Sequence, residues 1–220
     1  MGLLINNLLC LLRGIFRCRQ LCMVYPDVVI GQDVTVMPFA VLGRPPQYCG
    51  PSYLDHAAVS LHLIIGEGCV IGSGAVLYRG AHIESNVMVG DHACIREDAI
   101  IRYRSKIAQQ VTVNRGAVVG PRTRIMDGAH LTGNMTIGAD CFIGMHVSFA
   151  NDNAMGADDH IRKRDSYRGA TVGDRVRIGH GARIHPGITL NDDAIVGAGS
   201  VVTRDVGPKQ RVMGEQARRK

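Results

Sequence analysis

Residues 148–173, SFANDNAMGADDHIRKRDSYRGATVG, gather the side-chain types that proton transfer and anion binding require. Asn151 and Asn153 can donate and accept hydrogen bonds, Asp152 can take a proton, and His160 can serve as a base near neutral pH, in a loop that also carries Arg162, Lys163 and Arg164. His146 stands one hexad before the site. The set suits moving a group onto a nucleophile that must shed a proton. A neutral amine needs little more than a carboxylate such as Asp152 to orient it, with Asn151 fixing it from the side. A hydroxyl asks for an imidazole, which His160 or His146 can supply. His180 and His185, in GHGARIH, offer a different chemistry: two imidazoles that suit zinc once a third ligand joins them.

The chain that must position these residues counts in sixes. From Ile65 it reads IGEGCV IGSGAV LYRGAH IESNVM and continues unbroken to Phe149, fourteen steps of six; it resumes at Val172 and closes at Val202. Position one is aliphatic, position two is often Gly, and position five is nearly always small. A period of six fits neither a helix at 3.6 nor a strand at 2. It fits a short strand plus a turn, three of which close one triangular coil. Position one then points into a narrow prism, position five fills what room is left, and Gly permits the turn.

Composition agrees. The chain has 220 residues, 27 of them Gly, no Trp and 5% aromatics, as expected of an interior too narrow for rings. Its net charge of +6 is scattered and forms no run that would track a nucleic-acid backbone, so no nucleic-acid partner is expected. Cys10, Cys18, Cys22, Cys49, Cys69, Cys94 and Cys141 are odd in number and lack a CxxC pair, which indicates neither a disulfide framework nor a zinc ribbon. In residues 1–23, Leu4, Leu8, Leu11, Leu12 and Ile15 recur at helical spacing before Arg13, Arg17 and Arg19. The expectation is an amphipathic helix capping the core, with an interfacial membrane anchor as the second reading.

Two interruptions have one size. Leu42 to Ile65 spans 23 residues, and so does Phe149 to Val172. Pro45, Pro46 and Pro51 in the first forbid ladder pairing. Both read as loops thrown out from the prism, at 44–63 and 151–170, and loops of that length in a compact domain are usually functional or disordered.

The repeat resembles that of the hexapeptide-repeat left-handed β-helix acyltransferases over roughly residues 28–217. The resemblance implies an all-β prism, here of about eight coils, with a left hand that the usual right-handed crossover would not suggest. FANDN, closing a hexad and opening a loop, resembles the Phe-Thr-Asn-Asp segment of nucleotide-linked amino-sugar N-acetyltransferases, with Ala150 in place of Thr. There the matching Asn and Asp lie at the acceptor amine, which implies that role for Asn151 and Asp152. Asn153 and His130 complete the candidate acceptor contacts, although position six, where His130 falls, ordinarily faces outward. IGHGARIHPGITLNDDAIVGAGSVVTRDV resembles the stretch that cradles the pantetheine arm of acetyl-CoA between two prisms. That implies coenzyme contacts at Gly179, Ala198 and Gly199, with Arg204, Lys209 and Arg218 for its phosphates. The tail VMGEQARRK is similar to the family's Gly-x-Pro-Ala ending, with Gln216 in place of Pro.

The expectation is therefore one β-helix domain over 24–217, capped by 1–23 and followed by a basic tail at 218–220. It transfers an acetyl or other small acyl group from acetyl-CoA to an amine of a nucleotide-activated sugar, as a cytoplasmic homotrimer without a resident metal. A hydroxyl acceptor is the near alternative. A γ-type zinc carbonic anhydrase using His180 and His185, or a non-catalytic scaffold, are the alternatives of another class.

Overall fold

The computed structural model describes residues 3–4, 16–18, 21–46, 62–153 and 168–214, the first two segments as backbone only. The sixes fold into a left-handed parallel β-helix, with 28 short strands among the described residues in three sheets of ten, eight and ten, or about nine turns rather than eight. The chain passes from sheet III (His82–Ile83) to sheet II (Met88–Val89) to sheet I (Cys94–Ile95) and returns to sheet III (Ile100–Ile101) one coil on. Strands pair with those eighteen residues away, His82 with Ile100 and Met88 with Lys106.

Position one is buried throughout, as at Ile71, Leu77, Ile83 and Ile95, and position five fills the gaps with Ala75, Ala81, Val87 and Ala93. Phe149 departs from the expected exclusion of rings. It lies inside the prism at 2% exposure, in the coil whose third side the second insertion interrupts. Glycine turns out to serve two different needs. Position four adopts a left-handed backbone, at Gly68 (φ 65) and equally at Asn86 (φ 58), His92 (φ 56) and Gln110 (φ 56). At position two the need is space: a Cβ on Gly66 would stand 2.7 Å from the Ser85 nitrogen of the next coil.

Two buried hydroxyl side chains stack where sheet III turns into sheet II. The Ser105 hydroxyl donates to Gly120 O (2.8 Å) and accepts from Thr123 N–H (3.2 Å); the Thr123 hydroxyl donates to Gly138 O (2.8 Å) and accepts from Cys141 N–H (3.0 Å). Thr123→Val keeps the volume and removes both partners, so the unfolding free energy should fall by about 2 kcal/mol. Urea unfolding measures it; an unmoved midpoint would mean that Gly138 and Cys141 find other partners. Burial also pushes the Cys141 thiol up to about 11 and raises Cys69 and Cys94, so none of the three is a thiolate near neutral pH.

The expected helix over 1–23 is not what the described part of that segment forms. Leu3–Leu4 pairs antiparallel with Met23–Val24, and Phe16–Cys18 pairs in parallel with Val34–Val36. At these residues the end coil's unpaired N–H and C=O groups recruit extended chain. Residues 5–15 lie outside the described residues.

Both insertions leave from the same corner. The strand Val41–Arg44 belongs to sheet I and the next described strand, Leu63–Ile65, to sheet III; likewise Ser148–Phe149 gives way to Thr171–Val172, and Thr171 pairs directly with Thr136. Each insertion replaces one six-residue step from sheet I to sheet III, so neither is a degenerate coil. Residues 47–61 and 154–167 lie outside the described residues.

Candidate active site

The corner between sheets I and III is thus bounded by the roots of two loops, at Arg44 and Asn151. Between them Tyr78, Arg96, Asn114 and Thr132 follow at steps of eighteen, so the floor runs roughly 24 Å at the 4.8 Å spacing of paired strands. Its side chains hold one another. Arg96 lies over the Tyr78 ring at 5.1 Å and Arg44 at 5.5 Å. Nε and Nη2 of Arg96 each donate to Glu97 at 2.8 Å, and Glu97 is fully buried. One coil higher Arg115 pairs with Asp98 at 3.1 Å.

His130 projects outward from sheet I above this group, between Thr112 and Ser148. Its Nε2 lies 3.3 Å from Asn114 Nδ2, and partial desolvation against the sheet lowers its pKa. The imidazole is therefore neutral at physiological pH. For Nδ1 to take a proton, Nε2 must carry one and the Asn114 amide must present its oxygen, which is the same side chain turned by 180°.

The residues singled out from sequence divide between the two edges of sheet I. Asn151 sits over Gly133, three residues beyond His130: a Cβ on that glycine would come 3.9 Å from Asn151 Nδ2. Asp152 beside it is half-buried and Asn153 is exposed. His146 occupies the opposite edge, between sheets II and I, in a left-handed turn (φ 55) with its ring against Gly128. One protomer therefore does not bring His146 to Asp152. His160 and Arg218 lie outside the described residues. Gly179, Ala198 and Gly199 share the His146 edge. A Cβ on Gly179 would strike Ala198 N at 2.5 Å, whereas a Cβ on Gly181 or Gly199 would meet nothing within 4 Å among the described residues, so the outer side of the backbone is open there to a thin ligand. Arg204 stands at the sheet I–III corner and Lys209 (φ 59) at the III–II corner. His180 and His185 also fall on opposite edges of sheet I, and among the described residues no three His, Cys, Asp or Glu side chains converge as a metal-ligand set.

Reading the hexads singly missed Arg44, Tyr78, Arg79, Arg96, Glu97 and Asn114. The signal for them is the residue number counted in eighteens, which stacks 78, 96 and 114 on one corner and returns both interruptions to sheet I.

The fold and this corner define a hexapeptide-repeat β-helix with its candidate site on one prism edge. Comparisons with known proteins agree. A family model described as "Bacterial transferase hexapeptide (six repeats)" matches residues 169–204, and "Hexapeptide repeat of succinyl-transferase" matches 62–90. Galactoside O-acetyltransferase of Escherichia coli is 42% identical over 48 residues, 22% of this chain and 24% of that protein. Serine acetyltransferase 3, mitochondrial, of Arabidopsis thaliana is 34% identical over 84 residues, 38% of this chain and 21% of that one. The chain thus matches about a quarter or less of the length of these curated relatives. A UDP-N-acetylglucosamine acyltransferase from Bacteroides fragilis superposes with a TM-score of 0.68 at 19% identity, covering 86% of this chain and 68% of that one. One from Campylobacter jejuni gives 0.66 at 13%, covering 91% and 72%. These two establish the fold, and the family models and curated relatives match its hexapeptide repeats.

Proposed function

We propose that this chain transfers an acetyl or other small acyl group from coenzyme A to an amine on a nucleotide-linked sugar. The observation that carries the reading is the shared corner, where a neutral imidazole, an amide and a carboxylate (His130, Asn151 and Asp152) lie on a floor between two loop roots. The acceptor enters between the loops, Asn151 and Asp152 orient the nucleophile, and His130 takes its proton as it attacks the thioester carbonyl. The tetrahedral intermediate then collapses with departure of the coenzyme thiolate, which is protonated. The pantetheine arm follows the open Gly181 and Gly199 backbone on the other edge of sheet I. One prism presents its two edges in different directions, so the acyl donor and acceptor sites meet where prisms pack side by side. A cytoplasmic homotrimer is the assembly proposed, and sedimentation equilibrium tests it.

A hydroxyl acceptor is the second reading, favoured by His130: an amine needs little base, and a desolvated imidazole is what deprotonating an alcohol asks for. A panel of nucleotide-linked sugars, with and without amines, incubated with labelled acetyl-CoA tests both, since an ester product is cleaved by alkaline hydroxylamine and an amide is not. No label on any member would overturn the reading. Asp152→Asn should lower turnover at least tenfold while leaving acetyl-CoA binding unchanged, as expected when a charge-assisted contact at the acceptor is lost; equal turnover would remove Asp152 from the site.

A further inference from the structure

At the foot of the first insertion the floor carries more charge chemistry than acyl transfer uses. Among the described residues Arg44, Arg79, Arg96 and Arg115 stand at this corner with Glu97 and Asp98, where Arg96 pairs with Glu97 and Arg115 with Asp98. In the column Glu97, Arg115, Gly133, Asn151, every residue is at least partly exposed except Glu97. That carboxylate spends both oxygens on Nε and Nη2 of Arg96 at 2.8 Å each. A carboxylate buried at an otherwise exposed position does one thing for Arg96: it fixes the plane of the guanidinium and leaves Nη1 as the donor that points away from the pair. The Tyr78 ring lies under the guanidinium groups of both Arg96 and Arg44, at 5.1 and 5.5 Å from its centre, and draws the two cations to one place.

Arg79 supplies the observation that a structural ion pair leaves unexplained. Its backbone N–H donates to Arg44 O at 3.0 Å, which ties it to the same cluster. Its Nε is buried and is without a hydrogen-bond partner among the described residues. A buried guanidinium N–H left unmatched is costly, and such groups persist where a ligand completes them.

We propose that Arg44, Arg79 and Arg96, arranged around Tyr78 and braced by Glu97, form an oxyanion site that takes the diphosphate of the nucleotide-linked acceptor. This deepens the function proposed above and rests on it. Arginine forks match phosphate oxygens in pairs, and forks already immobilised lose little freedom when the anion arrives. The geometry suits an acceptor that spans the floor. Arg96 lies two coils below His130, about 10 Å at the spacing of paired strands. A hexose joined to a diphosphate covers such a distance, placing the phosphates at the first loop root and the reacting sugar atom near His130 and Asn151. The diphosphate of coenzyme A has the same chemistry, and the test separates the two sources.

Inorganic pyrophosphate, UDP, GDP and TDP, and separately coenzyme A, are titrated calorimetrically into the intact protein. Pyrophosphate and at least one nucleoside diphosphate should bind. Arg79→Gln and Arg44→Gln, which both leave the buried Glu97–Arg96 pair in place, should weaken that binding about tenfold or more while coenzyme A affinity is retained. Arg96→Lys, which keeps a charge opposite Glu97 but loses the fork, should do the same. Arg122→Gln, on the sheet III–II corner, should change neither, and circular dichroism establishes that every variant is folded. Failure of the wild type to bind pyrophosphate or any of these diphosphates overturns the proposal, as does a loss confined to coenzyme A or unaltered binding in all three variants. Arginine-dependent diphosphate binding with no acyl transfer to the sugar panel upholds the anion site and overturns the proposed reaction instead.

Discussion

His130→Asn is expected to lower kcat by roughly 10²- to 10⁴-fold, the span typical of losing a positioned general base, with the affinity for acetyl-CoA unchanged. The side chain is exposed and, among the described residues, hydrogen-bonds only with Asn114, so the thermal midpoint should stay near that of the wild type. The pH profile gives a second readout. Desolvation disfavours the imidazolium, so the folded-state pKa lies below the ordinary value of about 6.5. The neutral, proton-accepting form is then complete above that value and is lost as pH falls through the lowered pKa. The acid limb of kcat/KM should accordingly have its midpoint below about 6.5 in the wild type, and should disappear in His130→Asn. A variant that keeps full turnover, or keeps the same acid limb, would move the base to His160 in the loop or to His146 from a neighbouring prism.

The inward half of this protein is legible in its sequence because a narrow prism constrains every coil alike. Ile65, Ile71, Leu77 and Ile83 must be aliphatic, and Cys69, Ala75 and Ala81 must be small, whatever the chain does outside. The outward half is not written in sixes. Tyr78 meets Arg44 and Arg96 across strand pairings, and His130 meets Asn114 diagonally across sixteen residues, so a hexad read alone contains neither partner. The same limit explains Lys209 and Arg204, which are close in sequence and lie on different corners because six residues turn the chain through a third of the prism. At the amino end, Phe16–Cys18 lies against an open sheet edge and takes up its ladder, which the spacing of the leucines did not foretell.

The two roles of glycine carry the second large effect. Gly90→Ala is expected to lower the unfolding free energy by about 3 kcal/mol or more, as overpacking against rigid neighbours does. Gly90 has no left-handed backbone to protect. Its missing Cβ would stand 2.7 Å from both Ala108 C and Gln109 N, backbone atoms of the next coil that cannot swing aside as a side chain can. Relief requires the two coils to part, and that stretches Gly90 N–H to Ile107 O, now 2.7 Å, and the ladder beside it. Because each coil rests only on its neighbours, a breach there divides the stack and broadens the transition. Gly68→Asn is the contrast. At Gly68 the backbone is left-handed (φ 65) and the nearest obstacle is the Asn86 side-chain oxygen, 2.7 Å away, which can rotate. Asn already occupies the equivalent turns at Asn86 and Asn134, and it tolerates that conformation better than other residues. Gly68→Asn should therefore cost about 1 kcal/mol or less. Urea unfolding of the two variants side by side decides the matter: equal losses would mean that position two, like position four, is chosen for conformation and not for clearance between coils.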